Sequence, residues 1–517
     1  MSLTPKIKVL LVLEGSYPFA GGGISTWTHQ LTHEVSNASF VIYSINAHLE
    51  TKSKYELSEN VDEVIQVPIW APNEPHDYIN YGKKYYKLAL QKELTTEKKI
   101  QKKFIPVFKD LMSSIFNSDS VEAAELDKVF FNMWKFFNKH DFKKTMTSVS
   151  VWETYKEAIT THVANEKFSY KISLLDLTIG LRWIYRFLIP FSIDIPKADI
   201  SHITLSGFPV VPALTLKYKY KTPIMITEHG VFIRERLIAI NSSEYSFFLK
   251  NFLIKFSECI TKIAYYNADS ILSVNTFNTT WEEVYGAAKD KIKIIYNGVD
   301  HNLFKPRPKP DHLKNVPTVV AAARIFELKD ILTMIRTCNV VRKTIPNVKF
   351  LVYGSKNAVP DYTKKCENLI DELDLRANFE LAGFHSDPHL IYNEGDISIL
   401  TSISEGFPFT VIESMSSGVP VVSTDVGGVY EALDENSGFI CKPRDYDEIA
   451  SRVVELLSDD KLRKEMSVYG RQRVIDYFTI GKFINGYEEA YKELYESDKS
   501  KKIEEIKKTQ LITEITN

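Results

Sequence analysis

Two carboxylates eight positions apart frame the segment Ser404-Glu405-Gly406-Phe407-Pro408-Phe409-Thr410-Val411-Ile412-Glu413. It follows the apolar run Ile397–Thr401, and Pro408 suits a first helical turn, so the order predicted is strand, loop, helix. The amides of Phe409, Thr410 and Val411 would then be exposed at a helix start, where unpaired N–H groups and the helix dipole favour a phosphate. Glu405 in the loop and Glu413 in the helix suit ligands rich in hydroxyls, such as sugars and ribose. A glutamate in an early helical turn is also ordinary capping, so Glu413 alone means little.

Three other segments place polar side chains at predicted strand ends. Arg324-Ile325-Phe326-Glu327-Leu328-Lys329 follows the run Thr318–Ala323. Its two cations could converge on a diphosphate, or form a solvated charge pair. Thr227-Glu228-His229-Gly230 closes the run Ile224–Thr227 and puts a His and a Glu where open α/β sheets bind ligands, unless the His merely bonds its own loop. Glu14-Gly15-Ser16-Tyr17-Pro18-Phe19-Ala20-Gly21-Gly22-Gly23 links a first strand to a helix starting near Ser25, and its glycines allow close backbone approach to an anion. The G-x-G-x-x-G spacing is missing, and the next strand ends Tyr43-Ser44-Ile45-Asn46 without an acid for ribose, so a nicotinamide-dependent oxidoreductase is remote. Asp445-Tyr446-Asp447 is formally a D-x-D, but it follows Pro443 and opens a helix, so capping explains it better than a metal.

These segments need a scaffold. Apolar runs recur at Lys8–Leu13, Phe40–Ile45, Ile200–His202, Ile224–Thr227 and Ser270–Val274, and a second series runs from Ile292–Ile295 through Thr318–Ala323, Lys349–Tyr353, Phe379–Ala382, Ile397–Thr401 and Val419–Ser423. Runs without polar alternation, separated by helical periods, predict two doubly wound parallel sheets covered on both faces. The predicted domains are 1–304, 305–478 and 479–517, the last an amphipathic helix, Ile480–Tyr495, with a charged tail, expected to return to the first domain. Lys305-Pro306-Arg307-Pro308-Lys309-Pro310 reads as a stiff linker. Between about 70 and 196 strand signals vanish, and helical spacing with Phe, Trp and Tyr predicts a helical insertion whose aromatic stripe is core. Within it, Leu174–Ile195 is apolar but interrupted by Asp176, Arg182, Arg186, Pro190 and Asp194. Each charge at a bilayer centre would cost about 3 kcal/mol, so a buried or surface-lying amphipathic helix is expected, not a span.

Composition limits the rest. The 517 residues exceed one ordinary domain, and 44% hydrophobic with 25% charged residues describes a folded protein. A net charge of −2 argues against a nucleic-acid coat. Four cysteines without a C-x-x-C pair fit a reducing compartment, and the short Val9–Leu13 run is no signal segment.

Taken together, Glu405-x7-Glu413 with its Gly-Phe-Pro loop, Arg324 and Lys329, the Asn297-Gly298-Val299-Asp300 seam and the early glycine loop resemble glycosyltransferase family 4. The resemblance implies the GT-B fold, two Rossmann-like domains facing a cleft, and covers most of the chain outside the insertion. Leu13-Glu14-Gly15-Ser16-Tyr17-Pro18, Gly22-Gly23-Ile24-Ser25-x-Trp27 and Glu228-His229-Gly230-x3-Arg234-Glu235-Arg236 are similar to the PelF-like subfamily of exopolysaccharide transferases. By that resemblance, Arg324 and Lys329 would neutralise the donor diphosphate, Glu413 would accept the ribose hydroxyls, and Glu405 would lie near the donor sugar. Gly406, Phe407, Phe409, Thr410 and Val411 would hold sugar and phosphates, Gly21, Gly22 and Gly23 would close over the diphosphate, and His229 would sit near the reacting carbon. The implied activity is metal-free, retaining transfer, with UDP-glucose as donor and a glycan as acceptor and no cofactor. It also implies a cytoplasmic enzyme beside inner-membrane polysaccharide synthesis and export proteins. Alternatives are a sucrose- or glycogen-type GT-B transferase and a catalytically silent sugar-nucleotide-binding subunit scaffolding a membrane synthase.

Overall fold

The computed structural model describes residues 6–516 except 51, 73, 77–83, 166–170, 358 and 386. The opening Met1–Pro5 and parts of the expected insertion at 73, 77–83 and 166–170 therefore lie outside the described residues. The chain forms two compact units, one of Met1–Ser273, Thr279–Lys293 and Tyr487–Asn517, the other of Val274–Asn278 and Ile294–Gly486.

The first unit is built on seven strands: β1 (Ile7–Glu14), β2 (Ala38–Ile45), β3 (Val61–Val67), β4 (Ile200–Ile203), β5 (Ile224–Glu228), β6 (Ser270–Ser273) and β7 (Ile292–Ile294). Their order is β3-β2-β1-β4-β5-β6-β7, with β1 parallel to both β2 and β4. β1 and β4 are almost wholly buried, as apolar runs covered on both faces must be. Two expectations are corrected here. Ile292–Ile295 was expected to open the second series, yet it is the edge strand of the first sheet, β7. β3 was not anticipated, because Val-Asp-Glu-Val-Ile-Gln-Val is an edge strand whose outward positions are polar.

The insertion between β3 and β4 folds as helices, among them Ile105–Phe116, Ala123–Phe137, Val149–Asn165 and Leu174–Leu188. Among the described residues, it shares the core of the sheet. Phe104, Phe108, Phe130, Phe137 and Tyr155 belong to one continuous apolar cluster with Leu10, Val12 and Tyr43 of the sheet. The aromatic stripe is thus packing, as its helical spacing predicts. The Leu174–Leu188 helix starts with a capping box between Ser173 and Asp176 and ends in a short turn, Ile189–Ser192, that contains Pro190. Among the described residues, no helix is long and apolar enough to cross a membrane.

The second unit holds β8 (Thr318–Ala322), β9 (Lys349–Tyr353), β10 (Phe379–Gly383), β11 (Ile397–Leu400), β12 (Val421–Thr424) and β13 (Gly438–Cys441). They are ordered β10-β9-β8-β11-β12-β13 and are parallel in each pairing. The four-residue β13 was not anticipated. A final helix, Ile480–Thr516, extends well beyond the expected Ile480–Tyr495. All four cysteines are buried and free, and burial pushes each thiol up to about 12.

Candidate active site

Both sheets reverse strand order once, between β1 and β4 and between β8 and β11. Loops leaving the C-terminal ends of such a strand pair run in opposite directions and open a crevice, where α/β sheets bind ligands.

In the second unit, β8 leads to Arg324 and, through the short turn Glu327–Lys329, to Lys329; β11 leads to Ser402 and Glu405. The two loops are tied by backbone: the Ile403 amide donates to Leu328 O at 2.9 Å. Thr401 Oγ1 also donates to the carbonyls of Lys329 and Asp330, each at 3.0 Å. Across them Lys329 Nζ pairs with Glu405 Oε1, which also accepts from Ser402 Oγ. The pair is mostly shielded, at 18% and 12% side-chain exposure, so its charges are far less screened than a surface pair. Arg324 is exposed, its guanidinium carbon 4.7 Å from the Phe326 ring centre.

The 404–408 loop is held from outside. Gly428 N donates to Gly406 O at 2.7 Å, and Asn297 Nδ2 donates to Phe407 O at 2.8 Å. Gly427 adopts φ +57, and a Cβ there would come within 2.0 Å of Glu405 O, so only glycine fits. The helix Phe409–Ser416 follows. Phe409 and Thr410 are its first residues, whose amides have no carbonyl one turn earlier to bond. Thr410 Oγ1 is buried with no hydrogen-bond partner among the described residues. One expectation is corrected: the Val411 amide is not exposed for a ligand, because it donates to Pro408 O at 3.2 Å. The side chains of Phe407 and Val411 are core, with Phe407 packed on Tyr296 and Phe478. One turn on, Glu413 Oε2 accepts from Tyr392 Oη at 2.8 Å, and burial pushes the Glu413 carboxyl up to about 7. Asp445 accepts from the Glu448 amide at 3.0 Å, the cap its position predicts.

In the first unit, Gly15 (φ +62) turns the chain out of β1, and Gly23 opens the helix Gly23–Glu34. At Gly21 a Cβ would come within 2.7 Å of Lys54 Nζ, so the loop and that lysine lie close. Trp27, the fifth residue of this helix, meets His229 edge to face at 4.6 Å. Two buried histidines here differ in their partners. His202 has both ring nitrogens engaged, Nδ1 at 2.7 Å from Tyr491 Oη and Nε2 at 2.7 Å from Thr227 Oγ1. His229 Nε2 is buried without a hydrogen-bond partner among the described residues. Burial drives both rings down to about 3, so both are neutral at ordinary pH. Next to His229, Glu228 Oε1 accepts from the Ser206 amide and from Tyr265 Oη, each at 2.9 Å. Burial, then the Glu282 charge, pushes Glu228 up to about 8.

The structure thus joins Lys329 to Glu405 by direct contact, with Arg324 on the same loop. It joins His229 to the helix that Gly21–Gly23 opens. Sequence reasoning missed Tyr392 and Ser402, and named Trp27 in a motif without giving it a role. Tyr392 lies in a short turn, Pro388–Glu394, with no motif around it, whereas Ser402 stands three residues before Glu405 and was within reach.

A family model described as Domain of unknown function (DUF3492) matches residues 7–290, and one described as Glycosyl transferases group 1 matches residues 304–473. The capsular polysaccharide biosynthesis glycosyltransferase CapM of Staphylococcus aureus is 26% identical over 268 residues, 51% of this chain and 62% of that protein. An Escherichia coli protein named UDP-Gal:alpha-D-GlcNAc-diphosphoundecaprenol alpha-1,3-galactosyltransferase is 25% identical over 212 residues, 39% of this chain and 54% of its own. The chain spans about half the length of the curated relatives it matches. Among solved structures, sucrose-phosphate synthase from Thermosynechococcus elongatus superposes with TM-score 0.61 at 14% identity, covering 95% of this chain and all of that one (100%).

Proposed function

From a chain that belongs to the DUF3492 family and to the glycosyl transferases group 1 family, with the GT-B fold, we propose a retaining transferase that moves glucose from UDP-glucose to a growing glycan. We place it in exopolysaccharide biosynthesis, as a PelF-like enzyme that works in the cytoplasm beside inner-membrane partners. One observation carries the reading: a shielded Lys329–Glu405 pair lies across the strand reversal of the second sheet. The loop bearing Glu405 runs on into a helix start with an unpartnered Thr410 hydroxyl. The UDP-Gal named for the galactosyltransferase relative supports a uridine diphosphate donor.

In this reading Lys329 turns from Glu405 to the donor diphosphate, joined by Arg324, the amides of Phe409 and Thr410 and the Thr410 hydroxyl. Glu405, freed of its cation, accepts from hydroxyls of the donor sugar, aided by the backbone at Gly406. Glu413, oriented by Tyr392, accepts from the ribose hydroxyls. We assign Gly21, Gly22 and Gly23 to the diphosphate, and the neutral His229 to a hydroxyl near the reacting carbon. The bond from that carbon to the diphosphate oxygen breaks with its electron pair going to UDP, an acceptor hydroxyl attacks on the same face, and the departing phosphate takes the hydroxyl proton. Arg324, Lys329 and the helix amides do the charge stabilisation that a metal performs elsewhere, so no metal is needed.

The test is UDP release from UDP-glucose and other UDP- and GDP-sugars without added metal, with glycan acceptors supplied. Selective release from UDP-glucose, reduced about 10²–10³-fold by Glu405→Ala and by Arg324→Ala, is the expected result. Tight UDP binding without turnover, even with acceptors and membrane partners present, would point instead to a silent scaffold subunit.

A further inference from the structure

The helical insertion carries an open pocket of about 420 Å³, within the range that holds a small ligand. One wall is a single face of the Leu174–Leu188 helix: Thr178, Leu181, Arg182, Tyr185 and Arg186 recur at helical spacing. Opposite stand Thr147 and Ser148, in the turn before the Val149–Asn165 helix, and Trp152 one turn into it. Met146 and, beyond β3, Pro72, Glu74 and Pro75 complete the lining.

The polar groups are partly preset. Glu74 Oε1 accepts from Tyr185 Oη at 2.6 Å and from the His76 amide at 3.1 Å. Arg186 donates one Nη2 proton to Ala71 O at 2.9 Å and lies over Trp70, 5.6 Å from the ring centre, leaving its other guanidinium donors unspent among the described residues. Arg182 is exposed one turn earlier on the same face. Two arginines against one engaged carboxylate leave the lining net positive, and guanidinium forks match a carboxylate. An indole beside hydroxyls and a fixed acid suits the apolar face and rim of a sugar ring.

The pocket also has a direction. Trp70, under Arg186, donates from Nε1 to Glu14 Oε1 at 2.9 Å, at the very end of β1. Trp70 meets Trp183 of the same helix at 5.0 Å, and Trp183 in turn carries the Arg236 guanidinium at 4.6 Å. The pocket is therefore one aromatic layer from the strand end where the glycine loop begins.

We propose that this pocket binds an acidic sugar unit of the glycan acceptor, its ring on Trp152 and its carboxylate between Arg182 and Arg186. The word acceptor rests on the transferase reading above; the acidic-sugar class rests on the pocket.

Calorimetry on the full chain tests it, with trigalacturonate and the neutral maltotriose as probes and UDP as a control ligand. Wild type is expected to bind trigalacturonate at least tenfold more tightly than maltotriose. Arg182→Gln and Trp152→Leu should each weaken that binding tenfold or more while UDP affinity stays unchanged, which also shows the variants are folded. No saturable trigalacturonate binding at millimolar concentration, equal affinity for maltotriose, or variants that bind like wild type would each overturn the proposal. Wild type that binds trigalacturonate but never UDP would support the acidic-sugar pocket and overturn the transferase reading instead.

Discussion

Glu413 shows how one residue ties stability to the ligand it would hold. Its native carboxyl keeps its proton up to about 7, whereas an unfolded glutamate loses it near 4.5. Between those values the native state binds more protons, so this group's contribution to stability falls as pH rises through the window. Glu413→Gln should therefore stabilise the chain more at pH 8 than at pH 5, by up to about 3 kcal/mol. Urea unfolding at both pH values checks this, and an equal gain at each would refute it. Tyr392→Phe removes the bond that favours the carboxylate, so the pH below which donor KM rises should move upward with little change in kcat. The glutamates and the cations were legible in the sequence because each sits in a contiguous motif at a strand end. Tyr392 was not, since its role exists only once the Pro388–Glu394 turn is folded against the Phe409–Ser416 helix. Nor could spacing reveal that the Val411 amide is spent on Pro408.

At the scale of elements, loops at the strand reversal depend on close backbone approaches. Gly427→Ala would force a left-handed φ on a residue with a Cβ and press that Cβ onto Glu405 O. A loss of about 1–3 kcal/mol is expected, with transfer impaired as the Glu405 loop shifts. Thermal unfolding together with UDP release measures both, and an unaffected variant would mean the loop is not anchored there. The buried strands were readable because two-sided burial demands uninterrupted apolar runs. Edge strands escape that demand: β3 is polar on its open side, and β7 keeps only three residues, partly exposed, so neither its sheet nor its neighbours could be read from its composition. Helical spacing marked the insertion but could not say that its aromatics continue the core of the first sheet.

Over the whole molecule, the last helix belongs to the first unit from Tyr487 on, and Tyr487 and Tyr491 are buried there. Tyr487 Oη accepts from Trp27 Nε1 at 3.2 Å and lies 3.3 Å from Thr227 Oγ1, while Tyr491 meets His202. Tyr487→Phe keeps the ring and strands a buried indole donor, so it should cost about 1–3 kcal/mol in chemical unfolding. A smaller loss would mean that water replaces the hydroxyl. Composition marked an amphipathic helix and a charged tail here, but not the buried contacts of Tyr487 and Tyr491. The four cysteines have a practical consequence. Each is enclosed and its thiol holds its proton far above neutral pH, so none offers the thiolate that maleimides and disulfide reagents attack. A single cysteine introduced on the surface of each unit would then be the reactive pair, and fluorescent or spin labels could be attached there without replacing any native cysteine.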